Sequence, residues 1–332
     1  MSNPEKLKST KEHSLKFIAL AMAYQSSTGR LLLGGSDFKI YSVDPAAAKL
    51  EFTELGKHES YVTGLALVGQ TLISGGYDGK LTWWDVAAGK EIRSVEAHSK
   101  WIRQVVASPD GKTLASVADD MVCRVWDVAS GKKIHELRGH AERTPTHFLS
   151  MLYAVRFSAD GKRLATADKV GKIVVWEAAS GKQLQVLEAP GFYTWDGRQR
   201  IHSIGGIRDV AFSPDGTHLA ACGIGHIGNI DHLDGPARLE VFDLTAGKSV
   251  QLFDKTRHKG IINRLHFAPG GEWLLGVGGA GNGFALFFDL KGKKIVKDEN
   301  VKFHVHAAAF NDNRDTLYLA GHHGLAIFSL KG

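Results

Sequence analysis

The chain has 332 residues, of which 43% are hydrophobic and 38 are glycine, enough apolar side chain for a large core but punctuated often, as many short strands require. Lys and Arg outnumber Asp and Glu by 41 to 35, a net charge of +6. Both signs crowd into the same turns, which argues for a solvated face and against a specific nucleic-acid track. Cys123 and Cys222 suggest no disulfide framework, and no apolar run near the start reaches the roughly 18 residues of a membrane span, so a soluble, cytoplasmic protein is expected.

In chain order, residues 13–56 hold three short apolar runs, around Phe17 to Tyr24, Leu31 to Leu33 and Phe38 to Val43, and end on KLEFTEL. The next two segments, 57–97 and 98–139, close their third run with Trp84-Asp85 and Trp126-Asp127, each followed by a small-residue turn ending in Gly-Lys. With that Asp as a ruler, Asp44, Asp85, Asp127, Glu177, Asp243, Asp289 and Ser329 fall at intervals of 41, 42, 50, 66, 46 and 40 residues. A period of roughly 40 to 45 residues is that of four-stranded propeller blades. The remaining segments are 140–188, 189–255, 256–300 and 301–330. The last stops at its third strand, and KLKSTKEHS near the start reads against KLEFTELGKHES, so residues 5–12 are expected to supply the missing outer strand. The expectation is one all-β domain: a seven-bladed β-propeller of four-stranded antiparallel blades, closed by an N-terminal outer strand.

Within each blade, a meander of strands a to d places the a-b and c-d turns on one face and the b-c and d-a connections on the other. Ser108-Pro109-Asp110-Gly111 and Ser213-Pro214-Asp215-Gly216 read as type I a-b turns. Ala129-Ser130-Gly131 and Ala179-Ser180-Gly181 read as c-d turns.

The entry-loop His, the Ser-Pro-Asp-Gly-Lys hairpin, the Asp six residues before a Trp and the closing Trp-Asp resemble the WD40 repeat family over essentially the whole chain, most specifically in the second and third repeats. The phrasing VASGKKIHEL and ASPDGKTLAS is similar to bacterial WD40 proteins. The resemblance implies that His58, Ser74, Asp78 and Trp84, and likewise His98, Ser116, Asp120 and Trp126, form structural hydrogen-bond networks and not catalytic groups. Val170, Pro236, Asn282 and His322 stand where the network Asp belongs, so the later blades are expected to rely on apolar packing and other contacts.

Measured against the second and third repeats, about 8 extra residues precede the fourth a-b turn, 13 precede the fifth and 11 follow it. All lie in d-a or b-c connections: GHAERTPTHFLSM, EAPGFYTWDGRQRIHSIGG and CGIGHIGNIDHLDGPAR, with a smaller GVGGAGNG. Long loops on a rigid scaffold are where binding concentrates. The middle one offers Phe192, Tyr193, Trp195, Arg198 and Arg200 as interface anchors. The third carries His226, Asp231, His232 and Asp234, a weak metal-ligand alternative more simply read as loop-bracing residues, so no cofactor or metal is expected.

The WD40 resemblance also implies partner contacts at the start of each strand a. The matching positions are Tyr61, Trp101, Met151, Gly206, Ile261 and His304, and two residues further Thr63, Arg103, Tyr153, Arg208, Asn263 and His306. The leading expectation is a non-catalytic scaffold, a monomeric propeller within a larger complex. It would bind a protein or peptide through the d-a/b-c face over blades 4–6 and the channel mouth. The alternative is a small-ligand- or metal-binding propeller, possibly an enzyme, using His147, Arg200, His202, His226 and Asp231 at the same mouth.

Overall fold

The computed structural model describes residues 3–198, 202–229 and 233–331. After a short 3-10 turn at Pro4–Lys6, short strands follow one another through the chain. The first four are β1 (Lys8–Gln25), β2 (Arg30–Gly35), β3 (Lys39–Val43) and β4 (Thr53–Lys57). Next come β5 (Val62–Val68), β6 (Thr71–Gly76), β7 (Lys80–Asp85), β8 (Lys90–Glu96), β9 (Ile102–Ala107), β10 (Thr113–Ala118), β11 (Cys123–Asp127) and β12 (Lys133–Leu137). The middle holds β13 (Leu152–Phe157), β14 (Arg163–Asp168), β15 (Lys172–Glu177), β16 (Gln183–Glu188), β17 (Tyr193–Asp196), β18 (His202–Gly205), β19 (Ile207–Phe212), β20 (His218–Ile224), β21 (Ala237–Asp243) and β22 (Lys248–Phe253). The last are β23 (Ile261–Phe267), β24 (Leu274–Ala280), β25 (Asn282–Asp289), β26 (Lys294–Val301), β27 (Val305–Phe310) and β28 (Thr316–Ser329). Among the described residues no helix is long and apolar enough to cross a membrane.

The protein is an all-β propeller of antiparallel four-stranded blades. Hydrogen bonding joins β5–β8, β9–β12, β13–β16, β19–β22 and β23–β26 into separate four-stranded sheets, and β17 with β18 into a hairpin outside them. The remaining strands make one six-stranded sheet in the order β27-β28-β1-β2-β3-β4. Counted by unbroken bonding there are six blades, where the repeat spacing predicts seven. The difference comes from two long strands. The first part of β1, Lys8 to Ser14, pairs with Ser329 to Gly324 of β28, while its later part, Ala19 to Gln25, pairs with Gly35 to Arg30 of β2. One strand therefore serves two sheets, and it begins at Lys8 because residues 4–6 are turned into the 3-10 segment.

The a-b turns repeat one local solution. In Ser108-Pro109-Asp110-Gly111 the Asp110 carboxylate accepts from the Lys112 N–H at 3.1 Å and Ser108 Oγ accepts from Thr113 N–H at 3.0 Å. Gly111 has φ 69°, a left-handed value that explains the glycine. Ser158 with Asp160 and Ser213 with Asp215 repeat the pattern.

At the other end of four of the blades, Tyr77 N–H donates to Tyr61 O, Asp119 N–H to Trp101 O, Lys169 N–H to Met151 O and His322 N–H to His304 O, at 2.9 to 3.1 Å. These bonds tie the b-c turn to the entry of strand a, so both connections share one edge of the blade. The innermost strands touch in the cyclic order β1, β5, β9, β13, β19, β23, β27 and back to β1. Alternating residues of facing sheets fill the space between blades. Trp83 reaches across, its indole N–H donating to Val128 O of the next sheet at 2.9 Å. Cys123 and Cys222 are buried free thiols in this packing.

Candidate functional site

At the strand-a entries the structure gathers an aromatic row. Phe38, Tyr61, Tyr77 and Trp101 follow one another with ring centroids 5.6, 5.6 and 4.6 Å apart, and Tyr77 and Trp101 are parallel to within 3°. Phe38, Tyr61 and Trp101 are 40%, 42% and 50% exposed, an unusual amount for three large rings of one row. Trp101 also borders a hollow of about 330 Å³ with Leu149, Ser150, Met151 and Asp119.

Arg103 underpins the row. Its guanidinium makes two bonds to Asp119, at 2.7 and 2.6 Å, and lies 5.0 Å from the Tyr77 ring, 5.4 Å from Trp101 and 5.4 Å from Tyr153. Arg208 also stacks on Tyr153, 3.9 Å from its ring centroid. The Arg208 Nε is buried without a hydrogen-bond partner. Tyr153 is itself buried and donates to Met151 Sδ. Thus Arg103, Tyr153 and Met151 support the surface from beneath, while Tyr61 and Trp101 form it.

Three of the inserted connections meet beside this row. Tyr193 and Thr146 hydroxyls bond at 2.6 Å, Phe148 packs against Trp195 at 5.4 Å and against His202 at 5.4 Å, and Ile227 N–H donates to Thr194 Oγ1 at 3.1 Å. Ile224, Ile227 and Ile261, with Ile204 and Leu233, form a small apolar cluster that holds the second and third insertions against β23. Trp195 remains 38% exposed and Leu149 55%.

Phe192 is different from the expectation. It is fully buried with Phe212, Ile207 and Phe242, under the Arg238 guanidinium at 5.1 Å, because the 3-10 turn Pro190–Phe192 directs it inward. It is a core residue and not a partner anchor. Arg198 is exposed at the tip of the hairpin, while Arg200, Asp231 and His232 lie outside the described residues. Among the described residues the side chains that could jointly hold a metal are His304, His306 and His322, and neither His226 nor Asp234 belongs to that group.

Those three histidines stack at the seventh strand-a entry, with centroids 4.5, 5.1 and 4.9 Å apart. Gly321 allows this: a Cβ there would lie 1.9 Å from His304 O, so only glycine lets β28 approach closely enough to bring His322 beside His304. Asn263 Nδ2–H donates to His304 Nε2 and to Val305 O, both at 2.8 Å. Burial first, then neighbouring His322 and Arg208, push His304 down to about 4. Burial, then His304, His322 and the nearby arginines, push His306 down to about 2. Both rings are neutral at pH 7. The signal for this cluster was in the sequence: His-Val-His puts two rings on one side of a strand, and His322 occupies a turn tied to the same entry.

The two hydrogen-bond networks form as the repeat pattern implies. His58 Nδ1–H donates to Asp78 at 2.9 Å, its Nε2 accepts from Ser74 Oγ at 2.7 Å, and Trp84 Nε1–H donates to Ser74 at 2.7 Å. His98, Asp120, Ser116 and Trp126 repeat it at 3.1, 2.8 and 2.9 Å. Burial would raise the Asp78 carboxyl, but the His58 bond and charge and two backbone N–H groups hold it low. The fourth repeat departs from expectation. His140 donates to Asp168 at 2.8 Å and accepts from Thr166 at 2.8 Å, and Trp176 donates to Thr166 at 2.9 Å. Asp168 acts from the end of β14, two residues before Val170, so the network survives with its acid displaced.

The family profile described as "WD domain, G-beta repeat" matches at residues 50–85, 89–127 and 198–226. These three segments match WD40 repeats. The chain is also similar to the nuclear distribution protein PAC1 of Arthroderma otae, 32% identical over 100 residues. That match covers 26% of this chain and 22% of the relative, so it spans about a fifth of the relative's length. The first two profile matches end on Asp85 and Asp127, the same residues that set the ruler of the WD40 pattern.

Proposed function

We propose that this WD40 propeller is a non-catalytic scaffold that binds a protein or peptide through its d-a/b-c face. The observation that carries the reading is the exposed row Phe38, Tyr61 and Trp101. Its rings are fixed by stacking on Tyr77 and by Arg103 beneath, and the row continues to Leu149 and Trp195 of the insertions. Rigid aromatic anchors beside a hollow are the usual energetic centre of an interface, because little side-chain freedom is lost when a partner covers them. The ring is read as seven units, with the six-stranded sheet counted as two blades sharing β1. The protein is read as a cytoplasmic monomeric propeller within a larger complex.

Trp101 with Tyr61 is the right pair to change. Arg103 is not, because its removal would leave the largely buried Asp119 carboxylate unpaired. Trp101→Ala with Tyr61→Ala is expected to lower the unfolding free energy by only about 1 to 2 kcal/mol, the worth of the lost ring contacts. It is expected to weaken capture of the protein that wild type enriches by at least about tenfold. Equal capture by both proteins would contradict the reading.

A further inference from the structure

Three imidazoles at the β27 entry, one of them with an orphaned nitrogen, carry an inference that goes beyond the scaffold reading. The ligand nitrogens of His304, His306 and His322 all lie within 4.8 Å of one another. Two nitrogens bound to one tetrahedral ion at about 2.0 to 2.1 Å are separated by roughly 3.3 Å, so the stacked rings must turn about their side-chain torsions to aim their in-plane lone pairs at a single centre. The rings also differ usefully in exposure: His304 is buried, His306 half-buried and His322 exposed, which gives a supported base and an open side. His306 Nε2 is shielded from solvent and has no hydrogen-bond partner, an uncompensated polar atom in the middle of the cluster.

We infer that His304, His306 and His322 form a three-imidazole site for a divalent first-row transition ion, of the zinc, nickel or copper type, at the channel mouth. Neutral imidazole donors without a carboxylate suit these ions and not calcium or magnesium. At His304 Nε2 the coordinate bond would replace the Asn263 hydrogen bond. Three protein ligands leave at least one coordination position open. Arg208 and Arg264 add positive charge near these rings, so the open position favours an anion such as hydroxide or a carboxylate. The site is separate from the aromatic row, and its failure would leave the scaffold reading untouched.

The test uses tag-free full-length protein titrated with Zn(II), with Co(II) as a spectroscopic probe. One equivalent of Zn(II) is expected to bind and to raise the thermal midpoint, and Co(II) to give visible absorption bands of a nitrogen-ligated, low-coordinate centre. His322→Ala removes an exposed ring and leaves the fold intact by its melt; it is expected to weaken Zn(II) binding at least about tenfold. His306→Gln is expected to do the same, whereas His226→Ala retains wild-type affinity. Absence of a stoichiometric Zn(II) site in wild type, or undiminished binding by both His322→Ala and His306→Gln, would overturn the inference.

Discussion

His266 illustrates how one buried side chain sets the response to acid. Its ring edge lines the central channel, but its Nε2 is sealed from solvent without a partner. Burial, followed by the charge of Arg156, pushes it down to about 3. The folded state refuses a proton that the unfolded chain accepts near 6.5, so this contribution to stability is present above that value and is lost as pH falls toward 3. Lowering pH from 7 to 5 should therefore reduce the unfolding free energy by about 2 kcal/mol through this residue alone. His98, lowered chiefly by burial against the opposing pull of Asp120, acts in the same direction. Asp78, held below its usual value, matters only at lower pH. Denaturant unfolding of wild type and His266→Asn at pH 7 and 5 checks this: the variant should lose less stability on acidification, and equal losses would contradict it. At this scale the sequence was legible wherever a residue kept its repeat position, as Trp84 and Trp126 did. Asp168 was missed because it reaches the same His from two residues earlier, which no fixed spacing reveals. Phe192 was misread because its aromatic neighbours Tyr193 and Trp195 suggested a surface loop, while a local turn decides which ring points inward.

The N-terminal strand is the element on which closure depends. Lys8 to Ser14 covers the edge of β28, Thr10 Oγ1 donates to Ile327 O at 3.0 Å, and Leu7 is buried among Val301, Phe328 and Leu330. Deleting residues 1–11 would expose Leu7's site and the β28 edge together. Burial of a leucine and the loss of a few strand bonds amount to about 4 kcal/mol, seen as a lower denaturation midpoint. An unchanged midpoint would contradict this role. The similarity between KLKSTKEHS and KLEFTELGKHES made the strand legible, but not its union with residues 19–25 into the single strand β1, because continuity through residues 15–18 is a matter of backbone path. The insertions were legible as excess length. Their mutual packing, through Tyr193, Phe148 and Ile227, depends on the way neighbouring blades bring distant segments together.

At the scale of the whole molecule, the inner strands form a cycle, and the b-c turns at Tyr77, Asp119, Lys169 and His322 are each hydrogen-bonded to a d-a entry. Residues added to either connection must therefore accumulate at the same edge, beside Tyr61 and Trp101. The opposite ends carry the tightly bonded Ser-x-Asp-Gly turns, which offer few apolar side chains to a partner. Hydrogen exchange of the propeller with and without its captured partner tests this asymmetry most directly. The account predicts protection at residues 59–62, 99–102 and 144–150, with little change at 108–112, 158–162 and 213–217. Protection confined to the latter turns would contradict it.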